Sequence, residues 1–354
     1  MGLFVGGVRV GCYVPFFMPL SEQTQGATDV TPVDGPEITV VLAYYNESEN
    51  LQPLLERLRP VLTSLAQESW EIIFVDDSSD DGSALLLDRV NASDSRVKVI
   101  HFARNFGHQA ALAAGLERAS GRSVALMDAD LQDPPELLQV MFDRWRAGYE
   151  VVYAIRRKRK ESLPKRAAYG LFYRSMRILA DIDLPLDAGD FCLMDARVAR
   201  VLGAMKERHR FLRGLRSWVG FRQTGVEYER QARFAGEPKY TFRKLVRLAL
   251  SGYLGFSAAP LRITTGLGLA AAVIGMFVLV WAIAARVFGT PVPWGWTSTM
   301  AAIMFLGGAQ LLVAGVIGEY VGRIYDEVRG RPLYVVRSAV GFPQNSHVSE
   351  SHAS

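Results

Sequence analysis

Five short apolar runs, at residues 38–43, 71–76, 97–101, 123–127 and 150–154, are separated by segments whose apolar residues recur at helical spacing. Leu51, Leu54, Leu55, Leu58 and Leu62 show that spacing, as does the run 110–116. Strand and helix in alternation leave few ways to bury both apolar patterns. The strands join into a mostly parallel sheet, the helices cover both of its faces, and ligands gather at the carboxyl ends of the strands. The spacing therefore predicts an α/β domain over residues 37–235. Polar residues cluster at those ends: Tyr44-Tyr45-Asn46-Glu47 after the first run, Asp76-Asp77-Ser78-Ser79-Asp80-Asp81-Gly82 after the second, Arg104-Asn105-Phe106-Gly107-His108 after the third, and Asp128-Ala129-Asp130-Leu131-Gln132-Asp133 after the fourth. No Gly-x-Gly-x-x-Gly follows the first run, which argues against a dehydrogenase-type dinucleotide fold. Each loop also has a plain reading. Asn46 can cap a helix starting near Ser48, residues 76–82 are good turn formers, and Asp133 can cap a helix whose first residue is Pro134. Four such loops on one edge of one sheet point instead to a ligand site.

Within the fourth loop, Asp128 and Asp130 are two residues apart in an extended segment and share one side of it. Two carboxylates so placed repel, and a shared proton or a divalent cation relieves them. Asp128, Asp130 and the Gln132 amide are hard oxygen donors suited to Mg2+ or Mn2+, ions that often also hold a substrate diphosphate. A basic run at residues 156–166 follows the fifth strand and so starts on the same edge. Its arginines could grip a phosphate in bidentate fashion, although such runs are usually solvated faces. Farther on, Gly189-Asp190-Phe191 reads as a turn entering an apolar stretch. Two cysteines, Cys12 and Cys192, lack partners at ligand spacing, which argues against a disulfide framework or a zinc site and fits a reducing compartment for the α/β part. A net charge of +4 without an aromatic-interleaved basic stripe argues against nucleic acid as a partner.

For 354 residues, 49% apolar content and a mean hydropathy of +0.11 are high, and the excess lies mostly after Arg262. Residues 263–285 carry no charge and are long enough to span a bilayer. Residues 300–321 form a second span whose polar residues are Gln310 and Glu319, the latter at pairing distance in sequence from Arg323. The intervening loop has Trp294 and Trp296 but no Lys or Arg, whereas the outer flanks carry Arg243, Lys244, Arg247, Arg262, Arg323, Arg329 and Arg331. That asymmetry predicts a two-span protein of the cytoplasmic (inner) membrane, with the α/β domain and both termini in the cytoplasm. Residues 236–260 place Phe242, Leu245, Val246, Leu248, Ala249 and Tyr253 on one helical side, as in a helix lying in the bilayer interface. Ala314, Gly318 and Gly322 permit close helix packing, within the hairpin or between copies associating through the membrane helices. Residues 1–36 make a poor signal peptide and read as a disordered extension, and residues 324–354 as a cytoplasmic tail, polar and disordered from Ser338 onward.

Residues 38–337 resemble the family 2 glycosyltransferases that load a sugar onto a polyprenyl phosphate. These are relatives of dolichol-phosphate mannosyltransferase, and the similarity is greatest to the bactoprenol glucosyltransferase type with two C-terminal membrane helices. The resemblance rests on Tyr45-Asn46-Glu47, Val75-Asp76-Asp77, Arg104 to Ala111, Asp128 to Pro135, Gly189-Asp190-Phe191, Arg208-His209-Arg210-Phe211, Lys239 to Lys244 and Gly318 to Tyr325. It implies a GT-A fold and inverting, metal-dependent transfer of a hexose from a nucleotide sugar, UDP-glucose above others, to undecaprenyl or a similar polyprenyl phosphate. Tyr45, Glu47, Asp76, Asp77, Asn105, Gly107 and Asp128 would bind the nucleotide sugar, and Asp128, Asp130 and Gln132 the metal and diphosphate. Asp190 and Asp130 would be catalytic, with Asp190 beside the acceptor, and Arg156, Arg159 and Arg166 would hold the acceptor phosphate. Three positions depart from the family pattern: Ala43 replaces a proline, Cys192 stands where relatives often carry arginine, and Pro238 replaces serine or threonine. Transfer of mannose, galactose or an amino sugar to the same lipid is the alternative within the family, and a membrane-anchored nucleotide sensor the alternative outside it. A processive polysaccharide synthase would carry a Gln-x-x-Arg-Trp signature and more spans, and neither occurs.

Overall fold

Alternation along the first apolar run shows how the sheet is covered. In strand β1 (Ile38–Tyr44) every residue is buried, but Ile38, Val40, Leu42 and Tyr44 join one apolar cluster while Thr39 and Val41 face the other way. Leu51, Leu54, Leu55, Leu58 and Leu62 of helix α1 (Ser48–Ala66) enter that cluster with no more than 1% exposure. Each contributes roughly 2 kcal/mol of burial free energy. On the other face, helix α3 (His108–Arg118) lies so close to β1 that a Cβ on Gly115 would collide with Val41 Cγ1. The amide of Gly121 donates to Thr39 Oγ1 at 2.8 Å.

The computed structural model describes residues 35–157, 188–208, 210–229 and 295–343, with isolated positions within 4–13 and 264–288. The remaining elements of the sheet unit are β2 (Trp70–Asp76), α2 (Ser83–Ser93), β3 (Val97–Phe102), β4 (Ser123–Asp128), α4 (Leu137–Arg146), β5 (Val151–Arg157), β6 (Ala188–Asp195), α5 (Ala196–Ala204), α6 (Leu212–Trp218), β7 (Gln223–Glu229) and β8 (Val336–Val340). Among the described residues the sheet order is β8-β3-β2-β1-β4-β6-β5-β7, with a two-residue strand, Cys12–Tyr13, antiparallel on the outer edge of β7. That pairing departs from the expectation of a disordered extension over residues 1–36. Strands β3, β2, β1 and β4 run parallel in register, as do β5 and β7. This is the mostly parallel α/β architecture that the alternating pattern predicts, in the GT-A-like form that the resemblance implies.

Two readings need correction. Residues 189–194 are not a turn entering an apolar stretch but part of β6, which inserts antiparallel between β4 and β5. Its apolar residues Phe191 to Met194 are buried on both faces, so a central strand is where they belong. Antiparallel pairing sets Leu126 opposite Cys192, so two residues farther along, the carboxyl end of β4 lies beside the start of β6. The polar tail, in turn, is not disordered from Ser338, because β8 pairs antiparallel with β3. An edge strand needs backbone donors and acceptors rather than apolar side chains, and β3 offers an open row of them.

Residues 1–166, 184–239 and 332–354 form one unit, and residues 167–183 and 240–331 another. In the second, helix α7 (Trp296–Val328) has 33 residues, and its segment Phe305–Val328 is long and apolar enough to cross a membrane. Glu319 and Arg323 pair at 3.4 Å, as their spacing predicts. The interfacial helix expected at 236–260 lies outside the described residues, and of the span expected at 263–285 about half of the positions are described, each of them helical.

Candidate active site

At the carboxyl ends of β1 and β2 the backbone is held in uncommon conformations. Asn46 and Ser78 have φ of 54° and 67°, and Leu131, after β4, has φ of 59°. Three non-glycine residues in the left-handed region on one sheet edge mark loops whose shape is imposed by their surroundings. The surroundings here are polar. Asn46 Nδ2 donates to Asp80 Oδ1 at 2.8 Å and its Oδ1 accepts from the Asp80 amide at 3.0 Å, tying the two loops together. The expected Asn46 cap is replaced by Asp81, which accepts from the Ser48 amide at 2.9 Å and the Ser83 amide at 3.1 Å and so holds the starts of two helices. Asp76 accepts from the Ser79 amide at 2.8 Å and faces His101 Nδ1 at 3.0 Å. The other nitrogen of His101 lies 3.1 Å from Asp88. Asp77 takes the amides of Phe106 at 2.6 Å and Gly107 at 2.9 Å, one on each oxygen. Tyr45 is 40% exposed beside these loops, Glu47 accepts from Asn50 Nδ2, and Asn105 is exposed. The six residues Tyr45, Glu47, Asp76, Asp77, Asn105 and Gly107 therefore share neighbouring loops at the ends of β1 to β3.

The second group forms where β4 ends and β6 begins. Asp190 is gripped by Arg213, Nε to Oδ1 at 2.7 Å and Nη2 to Oδ2 at 3.0 Å. His108, at the start of α3, places Nε2 3.3 Å from Asp128 Oδ1 and 3.7 Å from Asp190 Oδ2. Burial raises the pKa of Asp190, but the Arg213 charge and the contacts from His108 and Arg213 outweigh it and hold the carboxyl well below the usual range. For Asp128 the balance is reversed. Burial and the charges of Asp190, Asp133 and Asp130 push its pKa up to about 6, against the pull of His108. Burial opposes charge on His108, yet the nearby Asp190 and Asp128 carboxylates raise its pKa above the ordinary value. The site thus carries surplus negative charge that one imidazole does not neutralise.

Asp133 does not cap the next helix. It is fully buried, it accepts from the Tyr228 hydroxyl, and its Oδ2 lies 3.9 Å from Arg156 Nη2. Helix α4 begins instead at Leu137, after a turn in which the Leu137 amide reaches Pro134 O at 3.1 Å. Arg156 also reaches the Tyr228 hydroxyl at 3.3 Å, so it braces the loop that carries Asp128 and Asp130. Arg159 and Arg166 lie outside the described residues.

The donor set suits a divalent cation with few protein ligands. The buried Oδ1 of Asp128 accepts no hydrogen bond among the described residues, and Asp130, 7% exposed, accepts from the Gln132 amide at 3.1 Å. No cluster of three or more His, Cys, Asp or Glu side chains able to hold a metal occurs among the described residues. Asp128 and Asp130 are nonetheless hard oxygen donors of the kind Mg2+ takes one or two at a time, with substrate phosphates and water filling its remaining positions.

His108 and Asp81 stand in conspicuous polar loops of the sequence but had no role of their own there, and neither Arg213 nor Tyr228 had one. Arg213 lies 23 residues from its carboxylate and His108 lies 82 from it, and no periodicity links such positions.

Residues 39–203 match the family described as glycosyl transferase family 2, and residues 259–324 match the GtrB C-terminal hairpin. The chain is 41% identical over 319 residues to the uncharacterized glycosyltransferase YkcC of Bacillus subtilis, covering 90% of this chain and 98% of that one. It is 43% identical over 310 residues to the uncharacterized glycosyltransferase sll0501 of Synechocystis, covering 86% and 96%. To the SfII prophage-derived bactoprenol glucosyl transferase of Shigella flexneri it is 38% identical over 305 residues, covering 86% and 98%.

Proposed function

We propose, since the chain belongs to glycosyl transferase family 2, that it transfers a hexose from a nucleotide sugar, UDP-glucose first, to the phosphate of undecaprenyl or a similar polyprenyl phosphate. The observation that carries this reading is the meeting of Asp128 and Asp190 across the His108 ring at the ligand edge of the sheet. The near full-length similarity to a protein named for bactoprenol glucosyl transfer supports the choice of lipid and sugar.

The acceptor is a phosphate monoester with a second pKa of about 6, so at neutral pH its oxygen is already largely ionised and needs no strong base. Asp190, ion-paired with Arg213 and held far below the usual carboxylate range, is a poor proton acceptor. Its part is to keep a fixed negative charge and orient the sugar or the acceptor beside Asp128. An acceptor oxygen forms the new bond to the anomeric carbon as the bond from that carbon to the diphosphate oxygen breaks, with inversion of configuration. A Mg2+ or Mn2+ ion bound by Asp128 and Asp130, with Gln132 alongside, would neutralise the charge growing on the departing diphosphate. Tyr45, Glu47, Asp76, Asp77, Asn105 and Gly107 would surround the base and ribose. Arg159 and Arg166 remain candidates for the acceptor phosphate, whereas Arg156 spends its guanidinium on Asp133 and Tyr228.

A two-span hairpin in the cytoplasmic membrane, with the sheet unit on the cytoplasmic side, would bring the site to headgroup depth. There the acceptor's phosphate is reachable while its tail stays in lipid. The test is a membrane assay: the full chain, Mg2+ or Mn2+, undecaprenyl phosphate and a panel of labelled nucleotide sugars. Label should enter a lipid fraction from UDP-glucose and stay in water with a metal chelator. Transfer from no donor in the panel would refute the reading, and faster transfer from another donor would change the sugar.

A further inference from the structure

The sheet edge farthest along β3 is closed by the end of the chain, and the contacts there concentrate on the segment that leads into the site. The Ala103 amide donates to Val335 O at 2.9 Å, and Arg337 Nη2 donates to Ala103 O at 3.0 Å. Both polar groups of that one residue's backbone are thus taken by the C-terminal segment. The Tyr334 ring stacks on Phe102 with centroids 5.0 Å apart and planes 15° from parallel. Phe102 in turn meets Phe106 edge-on at 5.7 Å. The Tyr334 hydroxyl donates to Glu117 Oε2 at 2.6 Å, near the far end of α3. Beyond β8, Gly341 has φ of 83° and packs so tightly on Asn91 and Lys98 that a Cβ there would strike Asn91 Nδ2. Phe342 lies beneath the Lys98 and Arg118 cations.

What these contacts hold is a short piece of chain with a defined job. Residues 103–107 link β3 to α3, their amides at Phe106 and Gly107 close on Asp77, and the next residue is His108, which faces Asp128 and Asp190. Ala103 is fixed at the front of this loop and Glu117 near the end of the helix that follows it, both by residues 334–337. In sequence that strap comes directly after α7, the helix apolar enough to span a membrane.

From these contacts we infer that residues 334–342 are a positioning strap for the sugar-transfer site, so that the donor is gripped productively only while the end of the chain is docked on β3. Tyr334 and Arg337 touch neither substrate in this scheme. They act through the loop 103–107, which sets His108 and the amides around Asp77. The inference rests on the proposed sugar transfer, and it gives the segment after the membrane helix a role in turnover.

Full-length protein in membranes containing undecaprenyl phosphate provides the test, with Tyr334→Ala, Tyr334→Phe and Arg337→Ala compared with the unsubstituted chain. Tyr334→Ala removes the stack on Phe102 and the bond to Glu117, and its KM for the nucleotide sugar should rise by about tenfold, since small misplacements of positioning groups are felt strongly. KM for the lipid should stay within about twofold. Tyr334→Phe keeps the stack and should recover most of the loss. Arg337 is solvent-exposed, so Arg337→Ala cannot collapse the core, and it should raise the donor KM by about threefold. Faster hydrogen exchange at the Phe106 and Gly107 amides should accompany both effects. Donor KM and exchange both unchanged in Arg337→Ala and Tyr334→Ala would overturn the strap, as would an equal rise in KM for both substrates. If Tyr334→Ala fails to fold, Arg337→Ala decides by the same two readouts. If the unsubstituted chain moves no sugar, the transfer reading fails, and exchange at 106–107 in Arg337→Ala still judges the strap.

Discussion

Asp77 and Asp190 are the same residue type on one edge of one sheet, and both use both carboxylate oxygens, yet their surroundings set them opposite tasks. Asp77 is met by two neutral backbone amides, from Phe106 and Gly107. Burial lifts its pKa above the ordinary value and the charge of Asp76 adds to that, more than the amides take away. Asp190 is met by a guanidinium, and the Arg213 charge overcomes a burial that acts in the same direction. Amides satisfy geometry while leaving the charge to be borne, whereas an ion pair satisfies both. Asp77 accordingly closes a loop, and in the proposed transfer Asp190 would stand ionised beside Asp128 while negative charge moves past it.

The largest effect should come from Asp190→Asn, which keeps the shape and removes the charge. Turnover should fall by about 10²- to 10³-fold, the range for losing one fixed electrostatic group, while nucleotide-sugar binding measured by calorimetry persists. Near-normal turnover with the donor still bound would take Asp190 out of the reaction. Asp77→Ala should act the other way round. It strands two amides, costing about 1–3 kcal/mol of stability in a denaturant titration, with a rise in donor KM larger than its loss of kcat. If Asp77→Ala instead cut kcat as deeply as Asp190→Asn at unchanged stability, the division of labour between them would be wrong.

The smallest effect concerns the support behind Asp76. Burial resists charge on His101, but its hydrogen bonds to Asp76 and Asp88 and their charges prevail and raise its pKa. A histidine whose folded pKa is raised adds stability that is complete below its unfolded value, about 6.5, and is lost as pH climbs through the folded value. Melting temperature should therefore drop between about pH 6.5 and the raised value, and His101→Gln should flatten that drop. Equal slopes in the two proteins would mean that the imidazole is neutral in the fold.

Much of this was legible in local pattern. Leu51 to Leu62 predicted the buried face of α1, and the polar clusters after each apolar run predicted the sheet edge on which the polar loops gather, because backbone periodicity ties a residue's face to its neighbours. Asp76, Asp77, Asp128 and Asp130 lie on that edge for that reason. Other features escaped for an equally physical one. Gly189-Asp190-Phe191 contains good turn residues, and only the pairing of Leu126 with Cys192 makes it a central strand and sets Asp190 beside Asp128. Asp133 before two prolines has the chemistry of a helix cap, but Tyr228 and Arg156, brought in by β7 and β5, claim it as a buried acceptor. The tail from Ser338 is mostly polar, yet its first residues complete a strand because β3 had an edge to pair.

Local residue order thus determined the class of fold, the polar edge of the sheet and the carboxylates that line it, since all three follow from periodicities of two and 3.6 residues. The fold alone settled which charge each carboxylate meets. Arg213, His108, Tyr228 and Tyr334 reach their partners across 20 to 217 residues of chain, and contacts of that kind come from packing, to which local pattern is blind.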